Sequence, residues 1–143
     1  MDQQIGKTVA QYTLQRKIGR GRIATVFEAQ AADEKPRVAV KVISQRVFDA
    51  TSDTNLRFRQ LADKLVHLNH PNILAVTQFG IESDRAFLVM PLVEGGETLR
   101  DKLREAVLGR WRTIELLKQV ASALDYAHQR GVLHLDLKPS NVL

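Results

Sequence analysis

Val132-Leu133-His134-Leu135-Asp136-Leu137-Lys138-Pro139-Ser140-Asn141-Val142 decides the reading of this chain. Asp136, with Lys138 two residues on and Asn141 five residues on, has the spacing of a phosphoryl-transfer loop. In such a loop the Asp accepts the proton of the attacked hydroxyl, the Lys neutralises the γ-phosphate and the Asn holds a magnesium ion.

A chain of 143 residues supports one domain of ordinary size. Its hydrophobic share of 44% and charged share of 26% are those of a soluble globular protein. No run approaches the roughly 18 apolar residues that a membrane span needs. Met1 to Lys7 lacks the charged-then-apolar pattern of a signal peptide. With no cysteine, disulfides, zinc thiolates and thiol chemistry are excluded. A cytoplasmic protein without a membrane partner is expected. Most of the net charge of +5 lies in the first part: residues 1–93 hold 13 Lys/Arg against 9 Asp/Glu, and residues 94–143 hold 8 against 7. Arg16, Lys17, Arg20 and Arg22 fall close together around two glycines, so their potential either solvates a surface or attracts phosphate.

Tyr12 to Ile18 alternates apolar and polar residues as a half-buried strand does, Gly19 and Gly21 interrupt it, and Thr25 to Ala29 resumes strand character. Ala31 to Pro36 reads as a polar turn, and Arg37 to Ile43 as a strand rich in β-branched residues. A helix is expected from Ser52 or Asp53 to Asn69, with Phe58, Leu61, Ala62, Leu65 and Leu68 at helical spacing. Ile73 to Phe79 and Arg85 to Met90 read as two strands around a Glu82-Ser83-Asp84 turn. After Glu94-Gly95-Gly96 the pattern becomes helical: a short helix from Thr98 to about Val107, then a long one from Thr113 to Arg130 stopped by Gly131. The expected class is therefore α+β, with an antiparallel sheet of five strands and one helix over 1–93 and a helical segment over 94–143.

Gly19-Arg20-Gly21 between two strands admits two readings: glycines that a hairpin needs for positive φ, or glycines that let a triphosphate approach the backbone. The strand-to-strand setting argues against a dinucleotide fingerprint, which needs a helix after the strand. Val38-Ala39-Val40-Lys41 follows about twenty residues on, then the helix, then His70-Pro71-Asn72-Ile73. His128 and His134 lack the helical pair or cysteine partners of a metal site.

Together these features resemble the bacterial Hanks-type Ser/Thr protein kinases, whose catalytic loop reads HRDLKPxN where this chain has HLDLKPSN. The resemblance runs from Tyr12 to Leu143. It implies a kinase N-lobe over 1–93, with glycine loop, helix C and hinge, and a partial C-lobe of two helices and the catalytic loop over 94–143. It also implies ATP and Mg2+ as cofactors and a protein Ser or Thr as substrate. Asp136 would be the base, Lys138 the γ-phosphate contact and Asn141 a metal ligand. Ile18, Gly19, Gly21, Val26, Ala39, Lys41, Met90, Pro91 and Val93 would line the nucleotide. Met90 takes the gatekeeper position, and Pro91 keeps the carbonyl that adenine needs although it lacks an N–H. Ala24 stands at the third glycine position, a mild departure.

Two further departures bear on activity. The Glu that should pair with Lys41 falls at Leu61, and no Glu occurs from Ser52 to Asn69. Leu135 replaces the Arg that binds a phosphorylated activation loop in regulated kinases. No Asp-Phe-Gly segment follows within these 143 residues, so the chain alone is expected to be inactive. A piece of an active kinase and a truncated pseudokinase that works by binding both fit; a nucleic-acid module does not, since aromatics are few and no such motif occurs. The stripe Ile114, Leu117, Val120, Ala121, Leu124 and Ala127 on the long helix is expected to drive association with a second copy or another partner.

Overall fold

The structure is a computed structural model and describes residues 4–32, 36–44, 52–82 and 85–143. It divides into two compact units, Met1–His67 with Ala75–Leu92, and Leu68–Leu74 with Val93–Leu143. The α+β class holds.

In the first unit the strands are β1 (Thr8–Val9), β2 (Tyr12–Arg20), β3 (Ala24–Ala31), β4 (Val38–Ile43), β5 (Gln78–Glu82) and β6 (Arg85–Pro91), with helix α1 (Ser52–Val66) between β4 and β5. All pair antiparallel in the order β1-β2-β3-β4-β6-β5. Alternation then sorts the side chains between two faces. Leu14, Phe27, Ala29, Val40, Val42, Phe87 and Val89 turn to one face and form the buried core with Val9. The two ends of the strand order meet: Tyr12 Oη donates to Gln78 Oε1 at 3.3 Å, and Ala10 N–H donates to Glu82 Oε2 at 2.5 Å. The sheet therefore curls around its core.

Several boundaries differ from the sequence reading. The sheet has six described strands, one more than expected, because two-residue β1 is too short to show an alternation. It turns back through Ala10 at φ 53°. Strand β2 does not stop at Gly19 but runs through it, with Gly19 facing Val26 and Arg20 facing Thr25. The apolar run from Ile73 is not strand until Gln78, and residues up to Leu74 belong to the other unit. Helix α1 ends at Val66 because His67 folds back, its ring Nδ1 lying 2.6 Å from Asp63 O. Leu61 leaves the expected apolar stripe: it is 49% exposed, whereas Ala62 is buried and Phe58 meets Phe79 edge-on at 6.2 Å. Parts of both expected turns, residues 33–35 and 83–84, lie outside the described residues.

In the second unit, Thr98 caps helix α2 (Leu99–Glu105) in a reciprocal box with Asp101, whose carboxyl the Thr98 hydroxyl and N–H hold below its usual range. Helix α3 (Arg110–Gln129) starts three residues before the expected Thr113, since Arg110-Trp111-Arg112 favours helix although its apolar period begins later. Gly131 at φ 68° ends it. Along the stripe, Ala127 is buried, Ile114, Val120 and Leu124 are half-buried, and Leu117 and Ala121 are exposed. The Leu68–Leu74 segment is tied to α3 by three bonds. Asn69 N–H donates to Tyr126 Oη at 3.1 Å, the His70 ring lies 3.1 Å from Ser122 Oγ, and Asn72 Nδ2 donates to Gln119 Oε1 at 3.2 Å.

Candidate active site

Pairing in register places residues side by side on one face of a sheet. One row runs Gly19, Val26, Lys41, Leu88 and the next runs Arg16, Glu28, Ala39, Met90. Five of the sequence-selected residues, Gly19, Val26, Ala39, Lys41 and Met90, thus share the face opposite the core. Ile18 sits in the irregularity between Lys17 and Gly19 and is 40% exposed. Pro91 closes β6 opposite Val38, and Val93 is exposed in the second unit.

Neither Gly19 nor Gly21 has positive φ, and an added Cβ would meet nothing nearer than 3.7 Å at Gly19 or 3.6 Å at Gly21. Neither turn geometry nor packing within the fold requires glycine there. What glycine leaves at both is backbone open to approach from outside. Gly21 N–H itself is spent inside the hairpin, on Ala24 O at 2.8 Å.

Lys41 is half-buried, and its side-chain Nζ has no hydrogen-bond or ion-pair partner among the described residues. The sequence reading missed Glu28. This carboxylate is 4% exposed and is gripped from both sides, by Arg16 Nη2 at 2.5 Å and Arg37 Nη1 at 2.6 Å. The hydrogen bond from Arg16, then that from Arg37, holds its pKa below the ordinary glutamate value despite burial. Arg16 therefore serves Glu28 and is not a free cation of the glycine loop. An acid between Phe27 and Ala29, in the middle of a strand, was the available signal.

In the second unit the 134–141 loop folds back on Asp136. Lys138 Nζ donates to both carboxylate oxygens at 2.9 and 2.8 Å, and Asn141 Nδ2 donates to Asp136 O at 2.8 Å and Oδ2 at 3.2 Å. Asp136 N–H in turn donates to His134 O at 2.8 Å. The Lys138 bond, opposed by desolvation and helped by Asn141, keeps the Asp136 carboxyl below its usual range. A short 3-10 turn, Pro139–Asn141, sets Asn141 in place, and Leu99 N–H ties the loop end to α2 through Val142 O at 2.8 Å. Leu135, between His134 and Asp136, has φ 56° and is 90% exposed. The three residues selected from the sequence thus form one hydrogen-bonded cluster.

The protein kinase domain model matches residues 12–143. The chain belongs to the protein kinase family. It is 39% identical over 138 residues to the Ser/Thr-protein kinase PknJ of Mycobacterium tuberculosis, covering 96% of this chain and 23% of that protein. It is 36% identical over 144 residues to the Ser/Thr-protein kinase pkn3 of Myxococcus xanthus, covering 99% of this chain and 26% of that one. Among solved structures, the kinase domain of M. tuberculosis PknI matches with a TM-score of 0.83 at 33% identity, over 100% of this chain and 59% of that chain. These relatives place the chain in the bacterial Hanks-type Ser/Thr kinase family, and it spans about a quarter of the length of the two curated relatives. No described helix is long and apolar enough to cross a membrane.

Proposed function

We propose that this chain is the ATP-binding and catalytic-loop portion of a Ser/Thr protein kinase, acting with ATP and Mg2+ on a protein substrate. The observation that carries this is the Asp136 cluster: an exposed carboxylate kept ionised by Lys138 and oriented by Asn141 suits a base that accepts a hydroxyl proton. Residues 1–93 would act as N-lobe and 94–143 as the start of the C-lobe, in a cytoplasmic protein. Gly19, Gly21 and Lys41 would face the phosphates, Ile18, Val26, Ala39 and Met90 the base, and the backbone of Pro91 and Val93 its edge.

The oxygen available for Mg2+ is the amide oxygen of Asn141, whose NH2 is spent on Asp136, while both Asp136 oxygens accept from Lys138. It is a hard donor of the right kind. One residue cannot fill six positions, so it fits a cation that arrives with nucleotide phosphates and keeps some water. Mg2+ there would neutralise charge on the phosphates.

A second reading is a pseudokinase that binds nucleotide or a partner without transfer. Leu61 favours it, because the half-exposed leucine leaves Lys41 without its orienting carboxylate. We also propose that the exposed Leu117 and its neighbours on α3 pair with a second copy or another protein chain. Incubation with labelled ATP, Mg2+ and a generic basic protein is expected to give no transfer from these 143 residues alone. Transfer abolished by Asp136→Asn would contradict that. Calorimetric titration is expected to give ATP affinity in the micromolar-to-millimolar range, roughly −4 to −8 kcal/mol. Lys41→Ala should weaken it; no binding at millimolar ATP would overturn the nucleotide reading.

A further inference from the structure

Strand β2 carries two register irregularities, one between Leu14 and Arg16 and one between Lys17 and Gly19. Ile18, Gly19 and Gly21 lie at or beyond the second. A slip of one residue would move each side chain of β2 to the other face of the sheet. Something must hold the register between the two irregularities, and Arg16 is one of only two paired residues there, the other being Lys17.

Arg16 faces Glu28 directly across the β2–β3 ladder, and Arg37 precedes β4 on the other side. Each guanidinium takes a different oxygen of the same carboxylate, Oε2 for Arg16 and Oε1 for Arg37. The Glu28 side chain is 5% exposed, whereas those of Arg16 and Arg37 are 70% and 49% exposed. The carboxylate is therefore the fixed point, and an arginine from each neighbouring segment reaches in to it. Its row continues through Ala39 to Met90, and the next row toward the hairpin tip holds Gly19, Val26 and Lys41.

The geometry points to Glu28 as a positioning residue: with Arg16 and Arg37 it locks the register of the hairpin, and so sets where Gly19 and Gly21 meet the phosphates of a bound nucleotide. This rests on the nucleotide reading above. Charge alone and register predict opposite effects of Glu28→Gln. Removing a negative charge should tighten ATP binding if electrostatics is all that changes, whereas loss of the lock should weaken it. Adenosine reports separately, since of the residues assigned to the base only Ile18 lies on β2, whereas Ala39, Met90 and Pro91 lie on β4 and β6.

The test measures ATP and adenosine affinity by calorimetry, together with amide hydrogen exchange over residues 16–26, in the native chain, Glu28→Gln and Arg16→Gln. The second variant keeps the buried carboxylate paired with Arg37 and guards against a Glu28 variant that fails to fold. The expected result is faster exchange across the hairpin and an ATP affinity lower by about tenfold in both, the scale of one lost charged hydrogen bond, with adenosine affinity nearly unchanged. A folded Glu28→Gln chain that binds ATP as tightly as native, or tighter, overturns the proposal; so does equal loss of ATP and adenosine. If the native chain binds neither ligand, the nucleotide reading fails instead. Exchange then decides the register lock, and unchanged protection over 16–26 refutes it.

Discussion

Gly80→Ala is the smallest substitution expected to damage this fold. Gly80 stands directly across from Phe87 on the β5–β6 ladder, and a Cβ built on it would lie 2.6 Å from Phe87 Cζ and 2.8 Å from Cε1. The Phe87 ring is 3% exposed and belongs to the cluster that includes Phe27, Val42 and Val89, so it cannot retreat without moving them. Overpacking of this kind costs about 1–3 kcal/mol, while the stiffer unfolded chain of Ala returns roughly 0.4–1 kcal/mol, leaving a net loss of about 1–2 kcal/mol. In a unit of this size that lowers the melting temperature by roughly 5–10 °C. Urea and thermal unfolding would measure it. The double variant Gly80→Ala/Phe87→Leu supplies the control, because Leu lacks the ring atoms that clash. The pair should be less damaging than the sum of its parts by about 1 kcal/mol. A neutral Gly80→Ala, or strict additivity in the pair, would refute the reasoning.

Lys138→Met should raise the pKa of Asp136 toward the ordinary aspartate value, since the Lys138 hydrogen bond is the largest cause of its depression. NMR titration of the Asp136 carboxyl would follow it: native Asp136 stays ionised to lower pH than in the variant, and an unmoved midpoint would count against the cluster. Leu135→Asn should stabilise the chain by about 0.5–1 kcal/mol, because Asn tolerates a left-handed backbone better and Leu135, at 90% exposure, has little burial to lose. Leu135→Val, β-branched at the same φ, should destabilise; equal denaturation midpoints for the two variants would show that the strain is absent.

What was legible in the sequence followed from local pattern. The β-branched run Arg37–Ile43 and the apolar run Arg85–Met90 placed two central strands within a residue of their observed bounds. Asp136, Lys138 and Asn141 lie within six residues, so one short loop brings them together whatever the rest of the fold does. The illegible features depend on distant partners. Glu28 is buried only because Arg16 and Arg37 arrive from two other segments. The helix period placed Leu61 on a stripe, but the period cannot say how wide the buried face is, and Leu61 falls at its edge. The run from Ile73 looked like strand because apolar residues alone do not distinguish a ladder from a crossing between two units. Glycines 19 and 21 were ambiguous until backbone angles removed the turn explanation.

ATP is proposed to bind on the face that carries Gly19, Val26, Ala39, Lys41 and Met90. Amide chemical shifts of isotope-labelled chain, followed during titration with ATP and Mg2+, test this directly. Saturable shifts are expected to concentrate at Ile18 to Val26, at Lys41 and around Met90 to Val93, with the amides of the core residues Val40 and Val89 moving less. Saturable shifts confined to α3, or none over the 18–26 hairpin at millimolar ATP, would contradict it.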